Sequence, residues 1–207
     1  MKLYFKPGAC SLASHIALTE AGAAFDIEKV DTKEQRTESG EDYSAINPNG
    51  YVPALKTDSG DILTEGPAIL QYIADTNKAA NLAPEGGTIE RARVNQFLSF
   101  VSSELHTAFS PFFAPDGLQG EARVNAEAKV AKRFNYLENI LSDNRQYLTG
   151  DQFTIADAYL FVVSNWSNFL EIDLKQWPNV AAFVERVAAR PSVQKALNAE
   201  GLLKQAA

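Results

Sequence analysis

The stretch Lys2-Leu3-Tyr4-Phe5-Lys6-Pro7-Gly8-Ala9-Cys10-Ser11-Leu12-Ala13-Ser14-His15-Ile16-Ala17-Leu18 decides the fold. Lys2 to Phe5 reads as a short strand, Lys6-Pro7-Gly8-Ala9 as a turn, and the run from Cys10 takes up a helical pattern. In a strand–turn–helix, the side chain at the helix start faces unpaired backbone N–H groups and the positive end of the helix dipole. Here that side chain is the only cysteine of the chain. The position favours a thiolate, and so a nucleophile near neutral pH. The alternative is a small buried apolar group. A lone cysteine forms neither an internal disulfide nor a cysteine-rich metal site. With only two histidines beside it, no metal-ligand cluster is visible and no metal is expected.

Outward from this stretch the alternation continues. Residues 11 to 21 are helical, and Phe25-Asp26-Ile27-Glu28-Lys29-Val30 alternates as a half-buried strand does. A short helix around Asp42–Ile46 precedes the turn Asn47-Pro48-Asn49-Gly50. Ala54-Leu55-Lys56 and Ile62-Leu63-Thr64, joined through Asp58-Ser59-Gly60, form a hairpin. A helix follows with Pro67 in its first turn and Ile69, Leu70 and Ile73 on its inner face. The order is βαβαββα.

Beyond a linker at residues 80–87 the pattern is helical to the end. One apolar stripe comprises Val94, Phe97, Leu98, Val101 and Leu105; a second comprises Val124, Ala128, Ala131, Phe134, Leu137 and Leu141. A helix from Thr154 is apolar on most sides and should be central. Another runs from Pro178 to Arg190, and Pro191 separates it from a last short helix. The expected architecture is an α/β domain over residues 1–79 and an all-α domain over residues 88–207.

The chain has 207 residues, a net charge of -7 and a pI of about 4.9. That charge disfavours nucleic acid as a partner. Lys6, Pro7 and Gly8 interrupt any apolar leader, and no apolar run is long enough for a bilayer. One cysteine without an export signal points to the cytoplasm, with no membrane partner.

Three features of the first domain converge on one chemistry. Cys10 is the first. The second is Tyr51-Val52-Pro53, where a cis proline entering a strand would turn the Val52 N–H and C=O outward. The third is Glu65-Gly66-Pro67, where free N–H groups at a helix start suit a carboxylate and Glu65 can pair with an ammonium group. A carboxylate site, an ammonium site, a backbone clamp and a thiolate together describe a receptor for a short thiol peptide.

The chain resembles the cytosolic glutathione transferases, most closely the bacterial Beta class. The residues that carry the resemblance are Tyr4–Leu12, Asn47-Pro48-Asn49-Gly50, Val52-Pro53-Ala54-Leu55, Leu63–Ile69, Ser103-Glu104-Leu105-His106 and Phe153–Tyr159. The resemblance implies a thioredoxin-like first domain, an all-helical second domain, a homodimer, and glutathione as a substrate. Cys10 would form a mixed disulfide with glutathione, Val52 and Pro53 would hold its cysteinyl backbone, and Glu65 and Gly66 its γ-glutamyl end. Gly66 stands where some members have serine. Ser99, Ser103 and His106, at i, i+4 and i+7, would form a polar line facing the ligand, with His106 beside the sulfur. Ser99 replaces a common asparagine, and Thr107 a common lysine. Phe109, Pro111, Phe112, Phe113 and Trp166 suggest an apolar cosubstrate pocket, of which Phe109, Phe113 and Trp166 are the main candidates; a packed core fits them as well.

The implied reaction is conjugation of glutathione to an electrophilic, largely apolar small molecule, in detoxification or aromatic catabolism. Thiol–disulfide exchange, reductive dehalogenation and a non-enzymatic ligand-binding or regulatory role on the same fold are the rivals. Tyr4 and Ser11 are secondary candidates for thiol activation. Thr154-Ile155-Ala156-Asp157 has capping-box form, which makes Asp157 structural, and His15 reads as a packing or surface residue.

Overall fold

Among the described residues, thirteen α-helices and β-strands follow one another in nearly the order the sequence pattern implies. The computed structural model describes residues 1–114 and 117–203. The elements are β1 (Lys2–Phe5), α1 (Ser11–Glu20), β2 (Asp26–Asp31), β3 (Arg36–Thr37), β4 (Ala54–Lys56), β5 (Ile62–Thr64), α2 (Gly66–Thr76), α3 (Ile89–Phe100), α4 (Thr107–Phe109), α5 (Gly120–Leu141), α6 (Ile155–Asn165), α7 (Pro178–Ala188) and α8 (Pro191–Ala199). Two compact units result. One runs from Met1 to Ala83 and resumes at Ala189; the other is Pro84–Ala188.

In the first unit a mixed five-stranded sheet has the order β3-β2-β1-β4-β5. β1 lies parallel to β2, with Leu3 opposite Ile27, and antiparallel to β4, with Leu3 opposite Leu55. The parallel pair requires a crossover, which α1 supplies. The hairpin β4–β5 is as expected, whereas the segment around Asp42–Ile46 is only a 3₁₀ turn at Tyr43–Ala45. Tyr4, Val30, Tyr43, Val52 and Ala54 form an apolar cluster beneath the loop that carries Val52. Tyr4 is therefore a core residue, its ring tilted against Tyr43 at 5.8 Å, and burial raises its phenol pKa. It has no surface from which to activate a thiol.

The C-terminal helix departs from the expected division. α8 packs on α1, within the first unit rather than the helical one. Glu200, buried just after α8, accepts from the Gly8 N–H at 3.0 Å and meets His15 Nδ1 at 2.9 Å. His15 itself is buried between the rings of Phe5 and Phe25. The turn that precedes Cys10 is thus fastened from the far end of the chain.

In the second unit α6 is buried from Ile155 to Ser164 and packs on α3 and α7. Asp157 accepts from the Leu148 N–H, the Thr154 N–H and Thr154 Oγ1, each at 2.8 Å. The α5 stripe begins later than its sequence suggests: Ala126, Val130, Phe134, Leu137 and Leu141 are buried, while Val124 and Ala128 are exposed. α3 does not continue as an α-helix. Val101–His106 is a π-helical turn before α4. No described helix is long and apolar enough to cross a membrane.

Candidate functional site

The turn before α1 is closed by Ser11, whose Oγ accepts from the Lys6 N–H at 3.2 Å and lies 3.3 Å from the Lys6 carbonyl. Fully buried, that hydroxyl is committed to shaping the turn. Cys10 occupies the N-cap position, where its Sγ donates to the Val52 carbonyl at 3.3 Å. The expected thiolate is not what this environment favours. Desolvation pushes the Cys10 thiol up to about 11, against the smaller lowering effect of the Cys10 and Ser11 N–H groups, and the negative charge of Glu65 adds to the rise. Part of the residue stays open to solvent, but the sulfur is enclosed well enough for burial to outweigh the helix end. Cys10 is a neutral thiol and a hydrogen-bond donor at neutral pH.

Val52 precedes Pro53 through a cis peptide bond. Its carbonyl is engaged by Cys10 rather than free, while its N–H makes no hydrogen bond among the described residues. The loop is held from behind by the Tyr51 carbonyl, which accepts from Tyr43 Oη at 3.0 Å and Asn47 Nδ2 at 2.6 Å. The Asn47-Pro48-Asn49-Gly50 turn closes through Gly50 N–H to Asn47 C=O at 2.9 Å.

Glu65 caps α2 at φ 67° and ψ 112°, a region that costs a non-glycine residue energy. Its side chain is exposed and accepts from Tyr51 Oη at 2.5 Å. Gly66 begins the helix with an N–H that makes no hydrogen bond among the described residues, and Pro67 has none to offer. A Cβ at Gly66 would meet nothing within 4 Å. The first unit therefore gathers Cys10, Val52, Pro53, Glu65 and Gly66, together with Tyr51. Sequence reasoning gave Tyr51 no role of its own, although it adjoins Val52 in the quoted motif.

The second unit arranges its candidates differently. His106 Nδ1 lies 2.9 Å from Tyr159 Oη, and its ring stands edge-on to Trp166 at 4.8 Å. Burial lowers its pKa, so the imidazole is neutral at pH 7. Ser99 and Ser103 are exposed and joined to each other, Ser103 Oγ donating to the Ser99 carbonyl at 2.8 Å. The three do not share one α-helical row, because the π turn needs more residues per revolution and rotates His106 away from the serines. Trp166 is buried, and Phe113, 54% exposed, stands edge-on to it at 5.0 Å. Phe109 has no exposed surface; it supports Trp166 and Phe134 from within the core instead of lining a pocket. Tyr159, which sets the His106 ring, was missed because a tyrosine on a buried helix carries no local signal.

The family model for the glutathione S-transferase N-terminal domain matches residues 8–76, and that for the C-terminal domain matches residues 100–191. Glutathione S-transferase GstA of Escherichia coli O157:H7 is 45% identical over 98% of this chain and 100% of its own. The solved bacterial beta class glutathione S-transferase of Sphingomonas chungbukensis is 50% identical, with a TM-score of 0.93 over 98% of this chain and 100% of that one. A sphingomonad glutathione S-transferase solved in complex with glutathione is 47% identical, with the same TM-score and the same coverage. Agreement over both domains and nearly the whole length places this chain in the glutathione S-transferase family, as a glutathione transferase of the bacterial beta-class type.

Proposed function

We propose that the chain conjugates glutathione to electrophilic, largely apolar small molecules, with the tripeptide held by the first unit. The observation that carries this reading is the grouping of Cys10 Sγ, the Val52 N–H and C=O, the Gly66 N–H and the Glu65 carboxylate within that unit. The Val52 N–H would meet the carbonyl of the glutathione cysteine, and the Val52 carbonyl its N–H, as in an added strand. The γ-glutamyl carboxylate suits the Gly66 N–H, and its ammonium suits Glu65. The glutathione complex of the sphingomonad relative supports glutathione as the ligand.

Cys10 acts here as a donor. Once the glutathione backbone takes the Val52 carbonyl, the Cys10 S–H is free to turn to the glutathione sulfur and stabilise it as a thiolate. The glutathione thiol loses its proton to solvent, and the thiolate forms the new C–S bond while the leaving group departs with its electron pair. Neutral His106, its Nδ1 hydrogen-bonded to Tyr159 Oη, is the candidate of the second unit for a polar contact with glutathione. Phe113 and Trp166 offer the aromatic surface for the electrophile. Ser99 and Ser103, exposed on α3 and the π turn, remain candidates for the outer part of the tripeptide.

A mixed disulfide on Cys10 requires an oxidised partner. The Cys10 sulfur attacks oxidised glutathione, one glutathione leaves as thiolate, and the thiol proton passes to solvent. With the thiol pushed to about 11, this exchange is slow at neutral pH and secondary to conjugation. The working form is a cytoplasmic homodimer, as the family suggests.

The test is the glutathione-dependent conjugation of chlorodinitrobenzene by wild type and by Cys10→Ala. A clear wild-type rate is expected, falling by about tenfold or less in the variant, since one hydrogen-bond donor is lost and the nucleophile is not. Absence of any wild-type rate would refute the reading. Total loss in the variant would make Cys10 indispensable, contrary to its role as an auxiliary donor.

A further inference from the structure

Resting on the glutathione reading above, we infer that Tyr51 is a positioning residue for the ammonium group of the ligand: its hydroxyl holds one carboxylate oxygen of Glu65 and leaves the other to receive the ammonium. The two side chains meet at 2.5 Å, in the range of a strong hydrogen bond from a hydroxyl to a carboxylate. Glu65 Oε2 makes no hydrogen bond among the described residues. Glu65 is exposed, and no other described residue of the first unit hydrogen-bonds its carboxylate. Left alone, such a side chain samples several rotamers and must be ordered as ligand binds.

Tyr51 is well placed to prevent this. Its backbone carbonyl is fixed by Tyr43 and Asn47, and its ring has only two torsions. The next residue is Val52, so one short segment positions both the backbone clamp and the ammonium acceptor. Tyr51 is 46% exposed and contributes little to the core, which separates this role from packing. The hydrogen bond to Glu65 also raises the Tyr51 phenol pKa, keeping the hydroxyl protonated throughout the neutral range.

The experiment compares calorimetric binding of glutathione and of its deaminated analogue, which bears a glutaryl group in place of γ-glutamyl, to wild type and Tyr51→Phe. Wild type should prefer glutathione. Tyr51→Phe should bind glutathione about tenfold more weakly, the usual effect of one hydrogen bond to a charged group, and the analogue less than about twofold more weakly. In turnover, the KM for glutathione should rise while kcat at saturation holds. Equal weakening of both ligands would reduce Tyr51 to a structural role and overturn the inference. Unchanged or tighter glutathione binding would do the same, by showing that the hydroxyl competes with the ammonium. If wild type itself shows no preference for the amino group, the assignment of Glu65 fails, and the role of Tyr51 with it.

Discussion

Cys10 shows how far one residue can be read from its neighbours in sequence. A strand, a tight turn and a helix start are local patterns, so its N-cap place is visible in residues 2 to 18. Its ionisation is not, because burial and the Glu65 charge come from segments more than forty residues away. Local reasoning favoured a thiolate; the folded surroundings keep the proton on. The pH dependence follows directly. Below about 11 the thiolate fraction grows tenfold per pH unit, so alkylation by iodoacetamide should accelerate through pH 7 to 10 without levelling off. Glu65→Gln removes a charge that raises this pKa and should shift the profile to lower pH. A plateau below pH 8 in wild type would show an activated thiolate and contradict the geometry described.

Among the elements, α6 and α3 were legible, and the π turn that follows α3 was not. Thr154-Ile155-Ala156-Asp157 marks a helix start by its spacing, and Asp157 does bond back to Thr154. The third donor, the Leu148 N–H, lies before the helix in an irregular segment that no periodicity reveals. It changes the energetics. Asp157→Ala leaves two buried N–H groups unpaired, each costing roughly 1–3 kcal/mol, partly offset by removing a buried charge. Urea unfolding should register a loss of about 2–4 kcal/mol, well above a simple cap.

The sign with pH is also fixed. Burial pushes the Asp157 carboxyl up to about 6 in the folded chain, against an ordinary 3.8. The folded state therefore takes up a proton first as pH falls. The associated stabilisation is full below about 4 and lost as pH rises through 6. The deficit of Asp157→Ala should accordingly widen between pH 7.5 and pH 5; a deficit that narrows would mean the carboxyl pKa is depressed instead. The π turn at Val101–His106 went unread because its apolar positions, Val101 and Leu105, also satisfy an α-helical stripe.

For the whole molecule, alternation of strand and helix patterns in the first eighty residues and predominantly helical periodicity after the linker suffice for the fold class. Hydrophobic periodicity is a local signal, and both units are built from it. The return of α8 to the first unit is different, because it depends on pairs such as His15 and Glu200, 185 residues apart, between which no sequence pattern runs. The glutathione site is legible to the same degree: its backbone parts sit in short motifs, whereas the Tyr51–Glu65 and His106–Tyr159 pairs appear only on folding.

The measurement that bears most directly on this site is calorimetric titration of glutathione into wild type and Glu65→Gln, with thermal unfolding of both as a control. One glutathione per chain should bind wild type, and Glu65→Gln should weaken it by about tenfold or more while its unfolding temperature stays close to wild type. Equal affinity in the two proteins, or no binding to wild type, would contradict a glutathione site built on the first unit.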